Sequence, residues 1–353
     1  MQGLADPHGG SNGCGYALAP DPDLPGPDFE AWASARPPCL GNNVAMDFAI
    51  LLLGGALMGL GGVLVRLAGE VGVGPFASAF WRMGLAAVVL VAWASWEGLR
   101  AGRRTRAAPD AELEPALEQP APAVPVWFRG WSQPALIGLA AAMFAADLIL
   151  YHLGLFWTTV ANATLESNLA PVVITVALWA LTGAAPRPLF LLGMGVALGG
   201  AMMMIGAHLG HGKALLGDLC GLSSALFYAA YQLGVQQARQ RLRTLPLMAW
   251  VSSCAAVALL PFALGEGNVV PHVAIAWLWL VALALVVQIG GQVVVAHAIK
   301  HLNPGLASVG LLMQPATAAV YAWIILGQAM SGLQMAGGVV ALGGIYLARR
   351  SVG

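Results

Sequence analysis

Ten stretches of this 353-residue chain are apolar over roughly the 20 residues a helix needs to cross a ~30 Å hydrocarbon layer. They run over about 47–67, 75–97, 134–157, 160–182, 188–208, 214–237, 246–264, 274–299, 304–326 and 332–348. Pro and Gly mark the joints, at Gly74-Pro75, Ala185-Pro186, Leu245-Pro246 and Asn303-Pro304. Each stretch is apolar on all sides, as a helix surrounded by lipid or by other helices requires. Strands of a membrane barrel would be about 10 residues long and alternate in polarity. The expected fold is therefore an all-α integral membrane protein with ten transmembrane helices.

Charge distribution separates this body from its polar appendages. Charged residues are 9% of the chain, against roughly a quarter in a soluble domain. That is too few to coat a water-facing surface, which excludes a soluble globule. Lys+Arg and Asp+Glu are 16 each, and no basic patch suggests nucleic acid as a partner. Of these 32 charges, 15 lie within residues 1–46 and 98–133. Residues 1–46 are rich in Pro, Gly and Asp. They read either as a disordered cytoplasmic tail or as an extension ahead of a natural start at Met46. Residues 98–133 read as a flexible cytoplasmic linker, and 349–353 as a short C-terminal tail. The four cysteines show no metal-ligand or disulfide spacing. No phosphate-binding Gly-x4-Gly-Lys motif is present in the sequence, so neither a metal nor a cofactor is predicted.

Lys and Arg set the orientation. With a cytoplasmic N-terminus, thirteen of them fall on the inside and two, Arg66 and Lys213, outside, with Arg82 inside a span. Both termini are expected to face the cytoplasm.

The chain also contains itself at an offset of 144 residues. Val196-Ala197-Leu198-Gly199-Gly200 recurs as Val340-Ala341-Leu342-Gly343-Gly344, and Pro171, Trp179 and Gly183 recur as Pro315, Trp323 and Gly327. Each copy, 47–208 and 214–348, holds five spans. An odd number obliges the second copy to enter from the opposite side, giving two inverted-topology five-helix repeats, a construction of secondary transporters.

Particular stretches carry a more specific likeness. Phe80-Trp81-Arg82-Met83-Gly84-Leu85-Ala86 lies in span 2 and Leu169-Ala170-Pro171 in span 4. Gly217-Asp218-Leu219-Cys220-Gly221-Leu222 opens the second copy, and Met313-Gln314-Pro315 lies in span 9. Over residues 47–348 the chain resembles the EamA family of the drug/metabolite transporter superfamily. The resemblance implies a multi-pass inner-membrane carrier, usually an exporter of amino acids or other small metabolites. Members often carry Gly-Glu after spans 4 and 9, where this chain has Gly183-Ala184 and Gly327-Gln328.

Ionisable groups inside spans cost several kcal/mol unless paired or hydrated, so each is a functional candidate. Arg82, Asp147 and Glu166 stand out, all in the first copy, while positions 291 and 310 of the second copy are Gly. At ~1.5 Å per residue, Arg82 and Glu166 both lie about 10 Å below the outer end of their spans. Equal depth permits a salt bridge, serving either as a lock between helices or as part of a gate. Asp147 lies near the bilayer centre with no Lys or Arg of the first copy at that depth. It is expected to carry protons, to anchor a substrate amine, or to hydrogen-bond a neighbouring helix. Tyr151, Asn168, Tyr231, Gln288, Gln292 and Gln314 complete the candidate set for substrate or coupling, with Pro171 and Pro315 as helix-bend positions. Each of these polar groups serves equally as contact between helices. Gly55-x3-Gly59 and Gly195-x3-Gly199 mark a packing face, within one chain or in a homodimer.

The function expected is a secondary transporter. It would move a small metabolite across the bilayer by alternating access, in the export direction and coupled to protons. The alternative is a membrane-embedded lipid-modifying enzyme, which would need clustered catalytic groups. Asp147 and Glu166 are 19 residues apart on different spans, so a non-enzyme is favoured.

Overall fold

The computed structural model describes residues 42–107, 132–182, 187–206, 212–238, 242–292, 294–295 and 313–350, all in helices or the turns between them. Residues 47–353 form one compact unit, and the chain before it is a separate one. The helices are α1 (Asn42–Glu70), α2 (Pro75–Ala107), α3 (Gln133–Trp157), α4 (Val160–Ser167), α5 (Ala170–Thr182) and α6 (Pro188–Gly206). They continue with α7 (Gly212–Ala238), α8 (Thr244–Gly265), α9 (Ala274–Ala282), α10 (Met313–Leu326) and α11 (Gly332–Arg350). Among the described residues, six spans are long and apolar enough to cross a membrane by themselves, and Pro188–Met204, Met313–Leu326 and Gly332–Ala348 are shorter apolar helices. The outward faces are as apolar as the interior: Val88, Met202, Val257, Ile324 and Val339 are exposed. Water would not tolerate such a surface, but lipid does.

Three elements differ from the sequence expectation. Span 4 is two helices, α4 and α5, parted at Asn168 and Leu169. Pro171 explains the break, because it has no N–H to offer the carbonyl of Ser167 and crowds it sterically. Asn168 makes up part of the loss: its Nδ2 donates to the Thr164 carbonyl at 2.8 Å. Span 8 begins as α9 and widens into a π-helix over Leu283–Gly291, a form often found at functional sites. Helix α2 continues to Ala107, past the position where a linker was expected to start. Trp93 Nε1 donates to Glu97 at 3.0 Å and the Arg100 guanidinium lies 3.6 Å over the Trp96 ring. Both are spaced as neighbours on one helix face. The expected tail before residue 42 and the linker from 108 to 131 lie outside the described residues.

Small residues let backbones meet. A methyl group on Gly193 would sit 2.7 Å from Ala348 Cα and 2.8 Å from the Gly344 carbonyl. One on Gly200 would sit 2.7 Å from Ala341 Cα and 2.6 Å from the Gly337 carbonyl. Seven residues forward along α6 thus corresponds to seven residues back along α11, so the two helices pack antiparallel. The glycines that pack are Gly193 and Gly200. Gly195 and Gly199, expected as the packing face, have nothing within 4 Å. Elsewhere α3 packs on α7, α2 on α8, and α4 on both α7 and α10.

At one end of the bundle, the turn at Glu266 ties three helices together. Its carboxylate accepts from the backbone N–H of Phe76 at 2.9 Å and of Ala77 at 2.7 Å. These are free donors at the start of α2, where negative charge is favoured. Trp81 Nε1 donates to the Val269 carbonyl at 2.7 Å, and its ring meets Trp277 edge-on at 4.6 Å.

Candidate functional site

The helices converge on a cavity of about 50 Å³, room for a few water molecules in this conformation. Helix α2 supplies Arg82; α3 supplies Phe144, Asp147 and Tyr151; the broken span supplies Thr164 and Asn168. Tyr228 enters from α7, Gln292 from the end of the π-helix and Gln314 from α10. Asp147 and Tyr151 share a face because they are one turn apart.

Several polar groups here have definite partners. Arg82 is buried, and its Nε donates to Gln288 Oε1 at 3.0 Å. Asp147 accepts from Ser224 Oγ at 2.5 Å, and Ser224 Oγ also lies 3.0 Å from Ser167 Oγ. The Tyr151 hydroxyl pairs with Thr164 Oγ1 at 2.9 Å. Phe144 stacks on Tyr231 at 4.3 Å, and Tyr231 lies 5.6 Å from Tyr228, which makes an aromatic wall. The Tyr228 hydroxyl bonds the side chains of Gln292 and Gln232.

Six of the sequence-derived candidates line the cavity: Arg82, Asp147, Tyr151, Asn168, Gln292 and Gln314. Gln288 stands behind Arg82 and holds it, while Tyr231 backs Phe144. Pro171 opens α5 and the buried Pro315 lies in the first turn of α10, next to Gln314.

Two expectations change. The equal-depth pairing of Arg82 with Glu166 does not form. Glu166 is fully buried and neither carboxylate oxygen has a hydrogen-bond partner among the described residues. Glu166 points around α4 toward α7, away from α2. A methyl group on Gly221 of α7 would overlap its carboxylate. The second change concerns Asp147, which has a basic group within electrostatic reach: Arg82, on the facing side of the cavity. A long arginine side chain brings its charge to a depth that its Cα does not reveal.

Sequence reasoning missed Asp218, Ser224 and Phe144. Asp218 is fully buried, accepting from the Thr158 hydroxyl and from Asn162 Nδ2 at 3.1 Å. The signal was present, since Asp218 is a carboxylate inside an apolar stretch. Gly291, at the position matching Asp147, is in tight contact: a methyl there would meet Met58 Cγ at 2.5 Å. Packing against α1 thus occupies the place a second carboxylate would take.

A bundle of apolar helices with lipid-compatible outer faces and buried ionisable groups around an internal cavity defines a multi-pass membrane transporter. The model of the EamA-like transporter family matches residues 47–206 and 215–350, and the chain belongs to that family. It is similar to two uncharacterized transporters of Archaeoglobus fulgidus. One is 23% identical over 287 residues, covering 77% of this chain and 87% of the relative. The other is 26% identical over 229 residues, covering 64% and 81%. A crystal structure of a protein superposes with a TM-score of 0.55 at 20% identity, over 86% of this chain and 96% of that one. At such identity the likeness concerns the fold alone.

Proposed function

We propose that this chain is a secondary carrier of the inner membrane that exports a small zwitterionic metabolite, of the amino-acid type, by alternating access. The observation that carries this reading is the cavity itself: Arg82 and Asp147, opposite charges from adjacent spans, face one aromatic-walled space. A guanidinium suits a substrate carboxylate and a carboxylate suits a substrate amine. When no substrate is bound, Arg82 is held by Gln288 and Asp147 by Ser224.

Alternating access rests on two inverted five-helix repeats. Under the 144-residue offset, Gly193 corresponds to Gly337 and Gly200 to Gly344. The contacts cross over: Gly193 meets Gly344, and Gly200 meets Gly337. Crossed, antiparallel contact between equivalent helices is what a twofold axis in the membrane plane produces. The Arg82–Gln288 bond joins the first copy to the second. The break at Asn168 and the π-helix beside Gln288 give each half a place to bend at the cavity. The basic-residue bias supports a cytoplasmic location for both termini.

The test is exchange in proteoliposomes loaded with unlabelled amino acids and offered labelled ones. The account expects counterflow of at least one zwitterionic amino acid, lost in Arg82→Gln and Asp147→Asn. Exchange by both variants at the native rate would remove the cavity from the mechanism.

A further inference from the structure

The carboxylate of Glu166 lies outside the Arg82–Asp147 cavity, yet it is fully buried and unpartnered among the described residues. Helix α4 explains the separation. Thr164 and Asn168 look into the cavity, while Ala163 and Glu166, on another face of α4, lie on Gly221 of α7. Asp218 sits one turn from Gly221 on the same face of α7, within electrostatic reach of Glu166. Asp218 has the donors: Thr158 Oγ1 and Asn162 Nδ2. Glu166 has none. An ionised carboxylate with no donor in a dry site is strongly unfavourable, and two neighbouring carboxylates in such a site do not both stay ionised.

We propose that Glu166 and Asp218 form a proton-binding site, separate from the substrate cavity, whose loading decides whether α4 can lie against α7. In the conformation described here a proton from the medium is bound to a Glu166 oxygen, leaving a neutral acid, while the Asp218 carboxylate is held by its donors Thr158 and Asn162. Release of that proton sets two like charges against each other and drives α4 from α7, which is first copy from second. The same helix lines the cavity, so loading and cavity shape are linked. A hydroxyl chain reinforces the link: Ser167, next to Glu166, meets Ser224, which donates to Asp147.

The other titratable groups facing α4 are few. Cys220 on α7 is within electrostatic reach of Glu166. Helix α3 brings Tyr151 to Thr164, on the cavity side, with Asp147 and His152 on the same helix. Helix α6 has no ionisable residue and α10 has only Tyr321.

The proposal rests on the carrier reading only for its link to transport, so the first test needs no substrate. Full-length protein in detergent is treated with the hydrophobic carbodiimide DCCD, which reacts with protonated carboxyls in apolar surroundings, over a range of pH. Modified peptides are then quantified by mass spectrometry. Labelling of Glu166 in acid is expected, falling about tenfold per pH unit above its midpoint. No labelling of Glu166 at any pH, or labelling that ignores pH, overturns the proposal. A second test uses proteoliposomes and labelled amino acids with and without a pH gradient. In Glu166→Gln, gradient-driven accumulation should fall to the level seen without a gradient; a native ratio in that variant also overturns it. If no amino acid is exchanged by the native protein, the carrier reading fails while the labelling result still stands.

Discussion

Substituting Gly193 by Ala tests the packing of α6 against α11. The added methyl would sit 2.7 Å from Ala348 Cα and 2.8 Å from the Gly344 carbonyl, both backbone atoms that cannot rotate away. Ordinary contact begins near 3.4 Å, and the Ala348 backbone N lies closer still, so α6 and α11 must part by at least about 0.7 Å. A gap of that size forfeits a quarter to a half of each dispersion contact along the seam. Overpacking of this kind costs about 1–3 kcal/mol. Gly195→Ala is the control: nothing lies within 4 Å of it, and Ala is better than Gly inside a helix by about 0.5–1 kcal/mol. Reversible unfolding in mixed micelles, titrated with a denaturing detergent, measures both. The expected order is Gly195→Ala at or above the native stability and Gly193→Ala below it by about 1–3 kcal/mol. Equal stability of the two variants would refute the close antiparallel seam.

Other outcomes follow from the same contacts. Glu266→Gln removes a charge that caps α2 through Phe76 and Ala77, and should lower stability by about 1 kcal/mol in a thermal melt. Asp147→Asn keeps the shape but removes the charge facing Arg82, and should reduce amino-acid counterflow at least tenfold while expression is preserved. Pro171→Ala restores an N–H at the break in span 4. It should raise the melting temperature and slow counterflow, and a faster variant would contradict a bending role for Asn168 and Leu169.

Much of the architecture was legible because lipid imposes a simple rule: every backbone group must be satisfied within its helix. Length and apolarity therefore located α1, α3 and α8 to within a few residues, and Gly74-Pro75 and Leu245-Pro246 fell at real joints. Charges buried in apolar stretches marked Arg82 and Asp147 for the same reason. What the sequence hid depends on azimuth and reach. Glu166 lies on the face of α4 that meets α7, not on one that meets α2. Asp147 has no basic neighbour at its own level, yet Arg82 extends to it. Asp218 becomes a buried carboxylate only through the packing of α7 on α4. The π-helix at Leu283–Gly291 has no periodicity signal in a stretch that is apolar on every side.

The central claim is that the two five-helix halves lie upside down relative to each other. Single cysteines placed at Gly72, after the first span of the first half, and at Arg243, after the first span of the second half, test it in a background lacking the four native cysteines. Labelling with a membrane-impermeant maleimide in intact spheroplasts, and again after permeabilisation, reads the side of each. The account predicts that Gly72→Cys reacts in intact spheroplasts and Arg243→Cys only after permeabilisation. Reaction of both from the same side would contradict it.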